Sequence, residues 1–348
     1  MSDLQNIPAI TFPFPDIPGP SQTLEIAPGI LWVRMVLPFR LNHVNVYLLE
    51  EAGGYAVVDT GLGNTSTIEA WKALLDGPLQ GKKITRLIAT HCHPDHVGLA
   101  GWMAETFNTP LFMSMTEYLL CLSLHKDPGS LAADHYKHFY ASNGLDAETV
   151  KLVMTQGHGY LRIVTGLPAT FTRLIAGETL DIGGRHFEVL TGGGHSPEQI
   201  MLYCDADNLL LSADQVLSKI SPNISVSAVD PHGDPLGIFL RSLKNLKRDM
   251  PHNVLVLPGH GVPFFGLHNR VDELIQHHED RCGDLARACV DKPMSAAELV
   301  PVIFHRELDP HQMSFAFTEV MAHINYMVRE RQLAWAEPMN GIQRLRTI

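Results

Sequence analysis

The sequence predicts an α/β protein, and two features of its patterning lead to that class. Short apolar runs rich in β-branched residues, which are typical of buried strands, alternate with amphipathic stretches of helical length. In addition, several of the predicted strands end in a histidine or an aspartate. Because strand ends on one edge of a sheet converge in space, this pattern predicts one polar site along a sheet edge.

The composition is that of a globular chain with an acidic balance. Its 348 residues are enough for one large domain with an appendage, or for two domains. The 37 acidic side chains outnumber the 26 basic ones, which argues against general affinity for nucleic acid or anionic membranes. We therefore expect a small-molecule substrate, no nucleic-acid partner and no membrane partner. The chain also begins without a basic region and apolar core, so we expect a cytoplasmic protein.

The first predicted elements are an extended arm and antiparallel strands. Four prolines between residues 10 and 22 favour an extended arm, which we place at residues 1–23. Strands follow at 30–36, 45–49 and 55–58. Asp59 ends the last of these strands. A short acceptor there is either a turn residue or a carboxylate that orients a metal-bound imidazole.

The most informative stretch follows a predicted buried strand at residues 84–89. It reads Thr-His-Cys-His-Pro-Asp-His from Thr90 to His96, and its proline can begin the next helix. A chain with 19 histidines would contain the pattern H-x-H-x-D-H by chance in roughly three cases per thousand. Three imidazoles and a carboxylate on one strand-to-helix turn predict a metal site. Its candidate ligands are His91, His93, Asp95 and His96.

Helices are predicted next at 98–107, 114–124, 131–142 and 146–163. The last three interrupt the alternation of strands and helices, so we interpret about 114–165 as a helical insertion and a candidate lid or pocket wall. Three later strands again end in side chains that can bind a metal. These are His195 after a strand at 186–190 and a glycine run, Asp214 after a hairpin, and His260 after a strand at 253–257.

As a set, these residues resemble the five-motif signature of the metallo-β-lactamase-fold hydrolases, across about residues 24–265. The resemblance includes Asp59 as the first motif and implies a four-layer αβ/βα sandwich with the metal site along one edge. It is nearest to the glyoxalase II-like branch, which carries a small C-terminal winged-helix-like domain. Three predicted helices and a short ending with Trp335 match that domain here. The implied domains are a catalytic domain at 24–267 and a C-terminal domain at 268–348.

The resemblance also implies how the ligands are divided between two metal ions. His91, His93 and His195 would hold one ion, Asp95, His96 and His260 the other, and Asp214 would bridge them. Nitrogen and oxygen ligands without a thiolate favour two zinc ions, with iron or manganese as alternatives. Asp95 would position the attacking hydroxide or shuttle its proton, and together with Asp59 it is a catalytic candidate.

The expected function is hydrolysis, in which a metal-bridging hydroxide attacks an ester, thioester or lactone carbonyl. β-Lactams and phosphodiesters, including RNA, are alternatives on the same metal site. A mononuclear iron sulfur dioxygenase is the alternative from another class. The third C-terminal helix is rich in apolar residues, and we expect it to pack on the catalytic domain or on a second subunit, which leaves a homodimer open.

Overall fold

A computed structural model describes residues 10–127, 133–155 and 159–348 of the chain. The chain divides into two compact units. The first consists of Met1–Lys126, Tyr160–Pro222 and Asn245–Val271, and the second of Asp127–Gly159, Asn223–Lys244 and Asp272–Ile348. Within the described ranges, no helix is both long and apolar enough to cross a bilayer.

The first unit contains a seven-stranded sheet whose strands lie side by side in chain order. The strands are β1 Leu24–Ala27, β2 Ile30–Val36, β3 His43–Glu51, β4 Gly54–Val58, β5 Lys83–Ile88, β6 Leu111–Met113 and β7 Thr172–Arg173. Pairing is antiparallel from β1 to β4 and parallel from β4 to β7. Parallel neighbours need a crossover, which explains the helices α1 Thr65–Asp76, α2 Pro94–Val97 and α3 Ala100–Phe107 between them.

A five-stranded sheet of the same unit has the order β12-β11-β10-β9-β8. Its strands are β8 Thr179–Ile182, β9 Arg185–Gly192, β10 Gln199–Cys204, β11 Leu209–Ala213 and β12 Leu255–Pro258. Only the β11–β12 pair is parallel among these described strands. Every residue of β10 and β11 is buried, as expected for strands that are covered on both faces.

Two apolar clusters place the first sheet between helices and the second sheet. Because successive side chains of a strand point to opposite faces, β2 contributes to both clusters. Trp32 packs in the cluster that contains Phe187 and Leu202 of the second sheet, whereas Met35 packs in the cluster that contains Trp71 of α1. These layers confirm the predicted α/β class.

The described residues of the predicted insertion at 114–165 form four helices. They are α4 Met115–Lys126, α5 Asp134–Ser142, α6 Ala147–Met154 and α7 Gly159–Arg162. Residues 128–132 and 156–158 lie outside the described residues, and this includes residues 131–132 and 156–158 of two predicted helices. The helix α4 belongs to the first unit, whereas α5 and α6 belong to the second. The role of the whole insertion as a lid stays a prediction.

The remaining elements are α8 Pro235–Asp249, α9 Leu267–Ala288, α10 Ala296–Ile303, α11 Pro310–Arg329, β13 Leu333–Met339 and β14 Ile342–Thr347. Three helices followed by an antiparallel hairpin match the predicted winged-helix-like order. The apolar face of α11 is buried within the second unit, where the Phe317 ring lies 5.9 Å from Phe139 and 5.4 Å from Tyr140 of α5. The homodimer stays a prediction.

Candidate metal centre

The predicted ligands meet at the ends of four strands in the first unit. His91, His93, Asp95 and His96 follow β5, His195 follows β9, Asp214 follows β11 and His260 follows β12. They form three overlapping groups in which the possible ligand atoms lie within 4.8 Å of one another. The groups are His91–His93–His195, His91–His96–Asp214 and Asp95–His96–His260.

The first group consists of three imidazoles whose nitrogens face one another. The Nδ1 atom of His93 lies 3.0 Å from Nε2 of His91 and 3.0 Å from Nε2 of His195. Imidazole nitrogens bound tetrahedrally to one zinc ion, at roughly 2.0–2.1 Å, would be about 3.3–3.4 Å apart. The observed spacing is therefore close to that of ligands around a shared ion.

Asp214 connects this group to the other ligand candidates. Its Oδ2 atom lies 3.3 Å from Nε2 of His195 and 3.3 Å from Nε2 of His260. Nε2 of His96 is 3.5 Å from the same oxygen. Oδ2 of Asp95 lies 3.3 Å from Nε2 of the same His260. One carboxylate oxygen is thus shared between the two sets of imidazoles.

Hydrogen bonds on the outer side of the rings determine which nitrogen carries a proton. Nδ1 of His260 donates to the carbonyl of His43 at 2.7 Å, since a carbonyl can only accept. Nδ1 of His91 is 2.9 Å from the Thr90 hydroxyl, which donates its own proton to Asp59 and therefore accepts from the ring. In each case the lone pair is left on Nε2, which faces the cluster.

Asp59 forms hydrogen bonds to His96 and Thr90, and its own carboxylate does not face the cluster of candidate ligands. Its carboxylate accepts hydrogen bonds from Nδ1 of His96 at 2.7 Å, from the Thr90 amide at 2.8 Å and from the Thr90 hydroxyl at 2.9 Å. Asp59 has a left-handed backbone with φ of 64°, which is uncommon outside glycine and is concentrated at functional sites. Of its two predicted interpretations, this geometry supports the carboxylate that orients an imidazole.

The donor set fits a metal ion. Nε2 of His96 and Oδ1 of Asp214 are buried and have no hydrogen-bond partner among the described residues. An unsatisfied buried polar group costs on the order of 1–3 kcal/mol, and a coordinated cation would remove that cost. The ligand types, imidazole and carboxylate, suit zinc, iron or manganese.

The pKa shifts in the cluster also indicate that it fits a metal ion. Burial lowers the pKa of His91 well below its usual value and that of His93 to about 3, so both rings are neutral. Burial also opposes charge on His260, but Asp214 and Asp95 together raise its pKa to about 10. Burial would raise the pKa of Asp95, yet His96 and His260 hold it below its usual range. The carboxylates of Asp95 and Asp214 are therefore stabilised by positive charge nearby. A bound metal ion would supply that charge in place of the protons on the imidazoles.

A buried glutamate that the sequence analysis did not identify ties two ligand loops together. Glu117 of α4 accepts hydrogen bonds from the Cys92 amide at 3.0 Å, the Glu198 amide at 2.7 Å and the Ser196 hydroxyl at 2.5 Å. Cys92 lies between two candidate ligands and Ser196 follows a third. An acidic residue in the first turn of a helix is ordinarily explained by the helix dipole, so the sequence offered no specific signal.

Two glutamines hold the Asp214 loop and were also not predicted. The Asp214 amide donates to Oε1 of Gln199 at 3.1 Å, and Nε2 of Gln199 donates to Oε1 of Gln215 at 2.9 Å. A side chain at Gly192 would place its Cβ 2.2 Å from Oε1 of Gln215. The glycine run before His195 therefore leaves room for this amide pair.

A fold of two stacked sheets with this histidine and aspartate cluster along one edge defines a class of metal-dependent enzymes. The chain belongs to the metallo-beta-lactamase superfamily, whose family model matches residues 40–260. The model of the metallo-beta-lactamase-like C-terminal domain matches residues 282–348. The predicted family, fold class and enzyme class, a metal-dependent hydrolase, are confirmed.

Individual proteins are similar over almost the whole chain. A beta-lactamase domain protein from Burkholderia ambifaria is 37% identical with a TM-score of 0.89, covering 97% of this chain and 98% of that one. A metallo-beta-lactamase family protein from Thermus thermophilus is 29% identical with a TM-score of 0.79, covering 93% and 100%. The "Probable metallo-hydrolase YqjP" of Bacillus subtilis is 24% identical over 327 residues, 87% of this chain and 93% of that one.

Proposed function

We propose that this protein is a dinuclear metal-dependent hydrolase of esters, thioesters or lactones. The observation that carries the proposal is the position of Asp214, whose Oδ2 lies 3.3 Å from Nε2 of both His195 and His260. A carboxylate shared between two sets of imidazoles suits a pair of metal ions better than a single one. His91, His93 and His195 would hold one ion, and Asp95, His96 and His260 the other. Zinc is the first choice, with iron or manganese as alternatives.

When bound, two divalent cations would lower the pKa of a water molecule and polarise the substrate carbonyl. The protein residues then have separate tasks. Asp95 keeps its carboxylate ionised, so it can accept a hydrogen bond from the attacking water and position it. His93 and Asp95 are partly exposed, whereas His91 and His96 are fully buried, so substrate approaches from the side of His93 and Asp95.

The charge of the chain favours acyl substrates over phosphodiesters. A nuclease must bind several phosphates, and here 37 acidic side chains stand against 26 basic ones. The insertion at 114–165 also contains few cations, namely Lys126, Lys137, Lys151 and Arg162. We therefore place ester, thioester and lactone hydrolysis ahead of β-lactam and phosphodiester hydrolysis.

The test combines elemental analysis of the purified protein with a screen of thioester, lactone, β-lactam and phosphodiester substrates. We expect two metal ions per chain and acyl hydrolysis that is lost in His91→Ala. His186→Ala is the matched control, because His186 is an exposed histidine of β9 outside the cluster. One iron per chain with thiol-dependent oxygen uptake would instead establish the dioxygenase. Far higher kcat/KM for a phosphodiester would exclude the acyl assignment.

A further inference from the structure

One half-buried cation lies beside the ligand cluster without an acidic partner. Nη2 of Arg34 donates a 2.5 Å hydrogen bond to the carbonyl of Gly261, and its Cζ lies 5.2 Å from the Trp32 ring centre. Within the described part of the chain, Arg34 takes part in none of the ion pairs. Among the same residues, its buried Nε has no hydrogen-bond partner.

This environment is unusual for arginine. Arginine is rarely buried without a partner, and its planar guanidinium carries five donors in a fork that matches carboxylate and phosphate oxygens. Here the hydrogen bond to a carbonyl leaves most of that capacity unused. Burial lowers the pKa of Arg34 from its usual value. The site therefore gains if an anion reaches the guanidinium.

The position of Arg34 connects it to the reaction. Gly261, which accepts its hydrogen bond, directly follows the candidate ligand His260. The Gly261 amide donates to Nε2 of His43 at 2.9 Å, and the His43 ring centre lies 6.2 Å from that of His260. Arg34 is therefore joined through Gly261 to the loop that carries His260.

A purely structural role for Arg34 is a weak explanation. Nδ2 of Asn45 already donates to the carbonyls of Pro258 at 2.8 Å and Gly261 at 3.2 Å, on either side of His260. The Tyr47 hydroxyl donates to the Pro258 carbonyl as well, at 2.9 Å. The loop that carries His260 is therefore held by neutral donors, which are less costly to bury than a guanidinium.

We propose that Arg34 binds an oxyanion, a carboxylate or a phosphate, that the substrate carries away from its scissile acyl bond. The inference rests on the proposed acyl hydrolysis and narrows its substrates to acyl compounds with a second, anionic group. Because the chain has a net charge of -11, an anionic substrate needs such a local cation to be selected.

The test uses the metal-loaded full chain and three p-nitrophenyl esters. These are the monoester of glutarate, its neutral methyl-capped counterpart, and an analogue that ends in a phosphate. Arg34→Gln should lower kcat/KM for the anionic esters about 10- to 100-fold, mainly through KM, because a charge-assisted hydrogen bond is lost. The neutral ester should change less than about twofold. Arg34→Lys should keep part of the selectivity, since it retains the charge but not the fork.

The control is Arg185→Gln, because Arg185 of β9 also donates to a backbone carbonyl, that of Pro28, away from the cluster. An equal loss on neutral and anionic esters would show that Arg34 is structural and overturn the proposal. Comparing the two anionic esters distinguishes carboxylate from phosphate.

Equilibrium binding of glutaramate and of inorganic phosphate to wild type and Arg34→Gln separates this inference from the proposed acyl hydrolysis. If these anions bind more tightly to wild type than to Arg34→Gln, the oxyanion site is supported even when no acyl ester is hydrolysed. If they bind equally to both proteins, or to neither, the oxyanion site is excluded.

Discussion

Oδ2 of Asp59 lies 2.7 Å from Nδ1 of His96, and this contact joins the end of β4 to the first turn of α2. The hydrogen bond leaves the lone pair of His96 on Nε2, which faces Asp214 and Asp95. Through the Thr90 hydroxyl, the same carboxylate also determines the tautomer of His91. Asp59 is not a candidate ligand itself, but it orients the two candidate ligands His91 and His96.

Asp59→Asn should weaken metal binding without unfolding the protein. Asparagine tolerates the left-handed backbone of Asp59, but it replaces one carboxylate oxygen by a donor and loses the negative charge. We expect an affinity loss of about 10- to 100-fold, measured by competition with a chelator. The melting temperature of the metal-free variant, compared with that of metal-free wild type, controls for misfolding. An unchanged affinity would show that Asp59 is only a turn residue.

Replacing Asp214, the proposed bridging ligand, and His260, a proposed terminal ligand, should have different effects on metal content. Asp214→Ala should lower occupancy at both positions, because its carboxylate lies between the two imidazole sets. His260→Ala should mainly empty one position. Elemental analysis after exhaustive dialysis measures the number of ions per chain. If Asp214→Ala still holds two ions, the bridging assignment is wrong, whereas a wild-type protein that takes up no transition metal would reject the whole site.

Glu117→Gln should disturb the metal site through the two loops that Glu117 holds. The NH2 group of glutamine would face either the Cys92 amide or the Glu198 amide, because each of these amides donates to a different oxygen of the carboxylate. A buried donor without an acceptor costs about 1–3 kcal/mol of unfolding free energy. We also expect a changed visible absorption spectrum of the cobalt-substituted protein, which reports ligand geometry.

The matched control is Glu319→Gln, which alters another buried glutamate that pairs with Arg281 in the second unit. It should cost stability as well, but leave the cobalt spectrum unchanged. A spectrum that shifts equally in both variants would contradict a specific role of Glu117.

Acid should destabilise the second unit through a buried histidine pair. Nδ1 of His278 lies 3.1 Å from Nε2 of His323, and burial lowers their pKa values to about 2 and about 4. Unfolded histidine titrates near 6.5, so below that pH the unfolded chain binds more protons and stability falls as pH falls. The loss from pH 6.5 to pH 5 should be about 2 kcal/mol for each ring.

His278→Leu tests this pH dependence, because leucine cannot take a proton. Urea unfolding of the full chain at pH 7 and pH 5 should show a smaller acid loss than in wild type. The metal cluster is unchanged in both proteins, so its own titration cancels in the difference. Identical acid losses would show that the pair does not contribute.

The candidate metal ligands could be predicted from the sequence because the signal is local. His91, His93, Asp95 and His96 lie within one turn, and His195, Asp214 and His260 each follow an apolar strand. Strand periodicity predicts where an edge begins, and strand ends on one edge converge whatever the details of packing. The α/β class could be predicted for the same reason.

Only the tertiary structure decided which outer contacts orient these ligands. Asp59 and Thr90 are 31 residues apart, Glu117 and Cys92 25 residues, and Arg34 and Gly261 227 residues. Apolar periodicity shows which face of an element is buried, but it carries no information on which buried faces meet. For this reason Asp59 had two open interpretations in the sequence, Glu117 resembled an ordinary helix residue, and Arg34 an ordinary strand residue. Their roles depend on contacts between residues far apart in the sequence, which exist only in the folded chain.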